Sequence, residues 1–412
     1  MKILIVSQYF WPENFRINDL ASELSIIGHN VTVLTGYPNY PDGTIYDEFQ
    51  RNSSSFNSYE SVNIVRVPII PRGTNNFRLI INYLSYIISA SLIGAWKLRK
   101  NDFDIIFVYE PSPITVGLPA IFLKKLKHSK IIFWTLDLWP ETLQMLGIIK
   151  SKFSIFIFSK LTKFIYKNSD LILGQSKGFV KQINNYCHDI NKIKYFPSWA
   201  EPIYLENTTT LATELKFRED LFNIVFAGNI GEAQDFPAIL NAAECLKSEK
   251  VRWIILGKGR QYNWVKSEIV RRQLENSVIM LGHFPVSRMP SFYNHAQALL
   301  VTLKADQKLS LTIPGKVQSY LVSGIPIIGM LDGEGARVIS EAKAGIVSPA
   351  GNGEYLANSV KKFLKMPSYE KAAFVTNAKK YAKKEFDRDT LIKLLETWMV
   401  EHSKKNTYLK SK

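Results

Sequence analysis

Residue types suited to phosphate chemistry are densest in the second half of the chain. Phe226-Ala227-Gly228-Asn229-Ile230-Gly231 follows an apolar, strand-like run and precedes a helical pattern. Glycines there permit a tight turn and close backbone approach, and exposed amides beside a helix N-terminus suit an anion. The stretch lacks the third glycine and downstream acid of a dinucleotide fingerprint, which disfavours NAD, and no GxxxxGK(S/T) run supports an ATPase loop. Gly257-Lys258-Gly259-Arg260 repeats the arrangement with two cations, and Gly282-His283-Phe284-Pro285 is a third such turn. Ile313-Pro314-Gly315-Lys316 opens a helix running into Gly324-Ile325-Pro326, and Asp332-Gly333-Glu334-Gly335 comes next. Each alone fits an ordinary structural or solvated turn. Together, at strand ends and helix starts of one half-chain, they make a stronger case for phosphate binding.

The first half offers carboxylates among aromatics. Trp134-Thr135-Leu136-Asp137-Leu138-Trp139-Pro140-Glu141 begins inside an expected strand and passes its carboxyl end. Two tryptophans and two acids there can line a sugar cleft; the plainer alternative is two core tryptophans with Asp137 as a cap. Tyr9-Phe10-Trp11-Pro12-Glu13-Asn14 holds the same kind of position after the first strand, and three consecutive aromatics in a loop favour cleft lining. Two acidic pairs are set aside. Asp102-Phe103-Asp104 has the spacing of a metal-holding pair but precedes its strand, the wrong end of a parallel sheet for an active site. Asp387-Arg388-Asp389 lies in a basic helical tail. The expected metal set is none.

Strands and helices must position these groups. Continuous aliphatic runs predict strands at 1–7, 31–34, 62–68, 104–109, 130–135, 171–175 and 194–196, with a helix over 16–27 ended by Gly28. After a loop at 197–220 the pattern restarts, with strands at 223–227, 253–256, 278–281, 298–301 and 326–329 and helices at 237–247 and 316–322. The tail from 354 is helical in pattern and broken at Pro367. Such alternation implies parallel sheets covered on both faces, in two doubly wound domains whose ligands sit at the carboxyl strand ends.

Composition narrows the setting. The 412 residues are 46% hydrophobic and 21% charged, which excludes a disordered or fibrous chain. A net charge of +16 attracts polyanions, whether phosphorylated substrates, nucleic acid or lipid headgroups. Cys187 and Cys245 alone support neither a disulfide framework nor a zinc site, as in a reducing compartment. The N-terminus does not read as a signal peptide, since its apolar run is short and Glu13 and Arg16 follow. Residues 79–96 approach the roughly 20 apolar residues of a membrane span, yet Asn82, Ser85, Ser89 and Ser91 interrupt them. A helix buried in its domain or lying on a membrane surface is the expectation.

With these motifs in this order, the chain resembles retaining glycosyltransferases of family four. Pro12-Glu13, Leu20-Ala21, Gly28-His29 and Val31-Thr32-Val33 with Thr35 match the family's opening. FAGNIGEAQDF at 226–236, IPGKVQSYLVSGIPIIG at 313–329 and DGEGARVI at 332–339 are closer still. YFWPENFRINDLA with TGYPNYPDG at 35–43 resembles a subgroup named for L-fucosamine transfer in O-antigen clusters. The resemblance covers nearly the whole chain. It implies the α/β GT-B fold, two Rossmann-like domains with the nucleotide-sugar held mainly by the second. Some family positions differ. An arginine and, five positions on, a lysine are replaced by Asn229 and Gln234; paired glutamates fall on Leu311 and Ser319; a histidine of the first domain is replaced near Asp137. Lys258, Arg260, Lys304 and Lys316 remain to offset two phosphates.

The expected organisation is an acceptor domain at 1–200, a linker at 201–221, a donor domain at 222–380, and a final helical segment at 381–412 packing back on the first domain. The expected activity is transfer of an N-acetylated amino or deoxyamino sugar, with retention, from UDP to a polyprenyl-diphosphate-linked saccharide of O-antigen or capsule. No cofactor is required beyond the UDP-sugar co-substrate. Donor contacts fall to Gly228, Asn229, Ile230, Gly231, Lys258, Arg260, His283, Phe284, Gly315, Lys316 and Glu334, acceptor contacts to Glu13, Asn14, Trp134 and Asp137, and catalysis to Asp137, Lys316 and Glu334. The enzyme is expected in the cytoplasm, peripheral on the anionic inner face of the cytoplasmic membrane, and without a nucleic-acid partner, because no recognised module appears. A nucleotide-sugar epimerase and a catalytically inactive GT-B scaffold are the alternatives.

Overall fold

The computed structural model describes residues 1–403 apart from 74, 146, 207–209, 217 and 219. The chain divides into two compact units: Met1–Phe196 with the segment from Asp389 onward, and Pro197–Arg388.

The first unit is built on a sheet of strands β1 (Lys2–Val6), β2 (Asn30–Gly36), β3 (Ser58–Tyr59), β4 (Val62–Val67), β5 (Ile105–Glu110), β6 (Lys130–Thr135), β7 (Leu171–Gly174) and β8 (Ile193–Tyr195). Their order is β3-β4-β2-β1-β5-β6-β7-β8, and β3 alone among the described strands runs antiparallel. Helices cover both faces, so β1, β5 and β7 are apolar almost throughout rather than alternating. The chain winds outward from β1 to β4 and then returns to place β5 on the other side of β1. The carboxyl ends of β1 and β5 therefore flank the switch point, the usual seat of a ligand in such sheets. Asp104 lies at the opposite end, its Oδ2 accepting from the Lys2 amide at 2.8 Å.

The apolar segment over 79–96 forms the Asn76–Ser89 helix, continued by a wider turn at Ala90–Gly94 and by Ala95–Lys97. Its polarity is turned inside out. Asn82 is fully buried, donating to the Ile70 carbonyl at 2.6 Å and accepting from Gln8 Nε2 at 2.6 Å. Tyr86 is equally buried, its hydroxyl on the Leu34 carbonyl at 3.1 Å. Phe77, Ile80, Leu84, Ile88, Leu92 and Trp96, three or four residues apart, lie exposed on one face.

The second unit carries β9 (Phe222–Ala227), β10 (Val251–Leu256), β11 (Val278–Gly282), β12 (Ala298–Thr302), β13 (Ile327–Met330) and β14 (Gly345–Ser348), ordered β11-β10-β9-β12-β13-β14 and parallel throughout. Its switch point lies between β9 and β12. The stretch expected as a linker is packed into this unit: Ala212 and Leu215 are core residues, Arg252 donates to the Lys216 carbonyl at 3.1 Å, and Tyr204 stacks on Tyr293. Ala382 and Phe386 close the same core. Residues 389–403 pack with the first unit, through buried Leu391, Leu395 and Met399 and an edge contact between Trp398 and Phe196.

Candidate active site

Each unit holds a cluster at its switch point. In the second unit the turn after β9 is pressed against the turn after β10, with the Gly228 amide on the Leu256 carbonyl at 2.9 Å and the Ile230 amide on the Lys258 carbonyl at 2.9 Å. The approach requires glycine: a Cβ on Gly257, whose φ is +146°, would lie 1.8 Å from the Gly228 oxygen, and one on Gly259 would lie 2.3 Å from the Ile230 oxygen. The Gly231 amide is taken by Gln234 Oε1 at 3.2 Å. The amides of Gly228, Ile230 and Gly231 are thus spent within the fold, a correction to the expectation that they face an anion. Asn229 and Gln234, in the places of the family's arginine and lysine, join through Asn229 Nδ2 and Gln234 Oε1 at 3.4 Å, a neutral pair.

The cation lies beneath the turn. Lys316 opens the Gly315–Ser323 helix after Pro314, and its Nζ is closed to solvent with no hydrogen-bond partner among the described residues. The ammonium sits 3.6 Å from the centre of the Phe226 ring and would lie 3.1 Å from a Cβ on Gly228. Burial lowers its pKa to about 7. At the start of that helix the Val317 amide is taken by the Pro314 carbonyl at 2.8 Å, while helix starts in general favour anions through their remaining amides. Lys258 and Arg260 are exposed on the neighbouring turn, and His283 is exposed beyond β11. Phe284 instead packs inward, 4.6 Å from the Phe292 ring with Arg288 over it. Glu334 is drawn into an ion pair with Arg337 at 2.7 Å on its own helix, Gly333–Glu341, and Arg337 also reaches Glu341. A carboxylate overlooked in the sequence stands beside Ser319: Glu201 Oε2 accepts from Ser319 Oγ at 3.4 Å.

In the first unit the outcome is mixed. Trp134 is wholly buried against Phe107, Tyr109 and Phe196, its Nε1 donating to the Phe196 carbonyl at 3.2 Å, so it is a core residue and not an acceptor contact. Glu13 is also buried. Its two oxygens accept from the amides of Asn39 and Tyr40 at 2.8 Å each and of Phe10 at 3.1 Å, which ties the loop after β1 to the loop after β2. Desolvation still raises its pKa to about 7. Glu13 therefore shapes the site rather than lining it, while Asn14 is exposed on the same loop.

Asp137 is where the sequence reading placed it, past the carboxyl end of β6 and in the wall of a cavity it shares with Trp139, Thr142 and Ser112. Thr142 donates to Oδ1, and burial lifts the pKa to about 6. Its amide points at Oε2 of Glu110, 3.4 Å away. Glu110, the last residue of β5, is fully buried with Oε1 unpartnered among the described residues, and burial followed by the charge of Asp137 holds its pKa well above the carboxylate range. An acid ending an apolar strand looks like any solvated strand end in sequence, which is why Glu110 escaped notice.

Residues 207–384 match the family described as Glycosyl transferases group 1. WbjE of Pseudomonas aeruginosa, named as a glycosyltransferase, is 22% identical over 70% of this chain and 73% of its own. WcaI of Escherichia coli strain K12, named for glycosyl transfer in colanic acid biosynthesis, is 21% identical over 95% of this chain and 98% of its own. The Anabaena protein HepE, solved in complex with UDP, superposes with a TM-score of 0.70 at 13% identity, covering 97% of this chain and all of its own. The chain is a glycosyltransferase with the GT-B fold. In the second unit the Asn229–Gln234 pair and the buried Lys316 lie together at the turn after β9.

Proposed function

We propose that this glycosyltransferase takes a sugar from UDP and delivers it, with retention, to a polyprenyl-diphosphate-linked saccharide of a surface polysaccharide, an N-acetylated deoxyamino sugar such as L-FucNAc being the donor sugar. The observation that carries the reading is Lys316: an ammonium with no hydrogen-bond partner among the described residues, beneath the Gly228 turn and at a helix start, is complementary to a diphosphate on which charge develops as the glycosidic bond breaks. Lys258 and Arg260 assist from solvent, His283 flanks the base, and Glu334 meets donor hydroxyls while paired to Arg337. Glu201 supplies the ribose with the carboxylate that Ser319 lacks. In the first unit Asp137, ionised above about pH 6, accepts a hydrogen bond from the acceptor hydroxyl. The exposed apolar face of the Asn76–Ser89 helix and its continuation supports a peripheral seat on the cytoplasmic membrane.

The names of WbjE, WcaI and HepE support the transferase, polysaccharide and UDP parts of this reading. Purified protein incubated with a panel of nucleotide sugars, with and without lipid-linked acceptor, is expected to release UDP and to do so faster with acceptor. Release of another nucleotide alone overturns the donor assignment. Interconversion of the donor sugar without transfer returns the epimerase.

A further inference from the structure

The cavity beside Asp137 extends well past it. It encloses about 600 Å3, within the range of a small-molecule pocket, and all its walls come from the first unit. Most of its length is apolar, built by Leu79, Ile87, Ile149 and Phe158. The sugar and nucleotide chemistry argued above makes no use of that length. The polar part is made of donors that lack acceptors. The Tyr9 hydroxyl and Thr115 Oγ1 are both closed to solvent with no hydrogen-bond partner among the described residues, and Tyr9 is only 3% exposed. Arg72 lines the same part with its guanidinium 5.1 Å from the centre of the Tyr40 ring, and no carboxylate pairs with it among the described residues. Orphaned donors at a buried wall are costly unless a ligand brings acceptors.

The shape continues outward. Ile80 and Leu84 line the cavity and are also 49% and 53% exposed, on the apolar outer face of the Asn76–Ser89 helix. A ligand that enters along this face must be apolar, and one that satisfies Tyr9, Thr115 and Arg72 must end in anionic oxygens. Asp137 repels such a head, which leaves Arg72 as the cation of the lining among the described residues. We infer that the cavity holds a single apolar chain ending in a phosphate or diphosphate. The head sits on Arg72, Tyr9 and Thr115, and the chain runs along Leu79, Ile87 and Phe158. This rests on the reading of the acceptor as lipid-linked and gives that lipid its binding site.

The test is equilibrium competition on the full-length protein against a fluorescent prenyl diphosphate, using geranylgeranyl diphosphate, geranylgeraniol, inorganic pyrophosphate and vesicles containing diacyl phosphatidic acid. Geranylgeranyl diphosphate is expected to compete at least about tenfold more tightly than the alcohol, and pyrophosphate not at all. Arg72→Ala should erase the difference between diphosphate and alcohol at unchanged thermal midpoint, and Ile149→Trp, which fills the cavity, should weaken both chains. Equal binding of alcohol and diphosphate, an unaffected Arg72→Ala, or competition by phosphatidic acid as strong as by the single chain overturns the assignment. UDP release measured on the same samples separates the two readings. Chain binding without sugar transfer keeps the cavity and sinks the lipid-linked transferase; transfer to a lipid-linked acceptor without chain binding does the reverse.

Discussion

Water does not reach the Nζ of Lys316, and among the described residues its compensation is the face of Phe226. Aromatic faces offset a buried charge only in part, so the ammonium is held at a cost that a diphosphate, on the proposed reading, would relieve. Lys316→Met keeps the stem and removes the charge. Donor turnover is expected to fall by about 1.5–3 kcal/mol in transition-state stabilisation, roughly ten- to 150-fold. Stability to denaturant at pH 6 should be kept or raised, because no hydrogen bond is lost. Kinetics unchanged from wild type would remove Lys316 from the site. The same burial makes a second prediction. The folded pKa, about 7, lies below the ordinary 10.5. The unfolded chain therefore binds more protons between these values, and this group's contribution to stability rises with pH across that window. Binding of UDP restores the charged form, so at pH 8 it should take up about one proton per site and at pH 6 almost none. Calorimetry in buffers of different ionisation enthalpy reads the uptake directly. It should vanish in Lys316→Met, and a wild-type uptake of zero at pH 8 contradicts the phosphate assignment.

At the scale of elements, the second unit's site depends on two turns approaching backbone to backbone. Gly257→Ala drives a Cβ to 1.8 Å from the Gly228 oxygen, which is main chain and cannot swing aside. The substitution should cost about 2–4 kcal/mol and abolish UDP binding. Gly282→Ala is its control, since at φ +84° nothing lies within 4 Å of the added carbon. Left-handed strain alone should cost about 1 kcal/mol there, and equal melting points for the two variants would refute the close-approach argument. Most elements could be read beforehand. Both sheets announce themselves in aliphatic runs, and the proline at 367 marks a real break between Gly353–Lys365 and Ser368–Glu385. Short strands gave no such signal: β3 has two residues, and β14 begins at a glycine whose Cβ would meet the Ile327 oxygen at 1.8 Å. Positions were legible where the pattern is local, as with Lys316, which opens a helix after Pro314-Gly315. They were misread where the partner is distant. Glu13 looks like a ligand until the loop at Asn39 and Tyr40 closes on it, and Trp134 looks like a cleft wall until Phe196 covers it.

For the molecule as a whole, the charge of +16 and the exposed apolar helices must be explained together. Metal is not expected to share in handling the phosphates, because Asp104 is engaged at the amino end of β1 and β5. Turnover should therefore persist in excess EDTA, and a loss restored by magnesium or manganese reverses the reading of Asp102 and Asp104. The excess charge has a surface to act on. Between residues 121 and 181 lie eleven lysines against Asp137, Glu141 and Asp170, of which Asp170 pairs with Lys124 and Lys130. The Lys152–Asn168 helix exposes Phe153, Phe156, Ile157 and Phe164 beside Lys160 and Lys163, with Lys160 over the Phe156 ring at 5.2 Å. On the Asn76–Ser89 helix and its continuation, Asn82 and Tyr86 face inward while Phe77, Ile80, Leu84, Ile88 and Leu92 face outward, ending at Trp96 with Arg99 stacked 4.3 Å from its ring centre. An aromatic and cationic edge on an apolar helix suits the headgroup layer. Water penalises that outward face, and a bilayer interface does not. Each lysine near an anionic surface adds roughly 1 kcal/mol, weakened by salt. The protein should sediment with anionic liposomes at low salt, bind neutral ones less, and be partly released by high salt. Leu84→Asp with Leu92→Asp should weaken binding to both kinds of liposome, because the exposed face supplies the apolar share. Equal sedimentation with neutral and anionic liposomes at low salt removes the electrostatic share. Binding that resists alkaline carbonate instead means that the Asn76–Ser89 helix and its continuation cross the bilayer, which would require Asn82 to give up its bonds to Gln8 and Ile70.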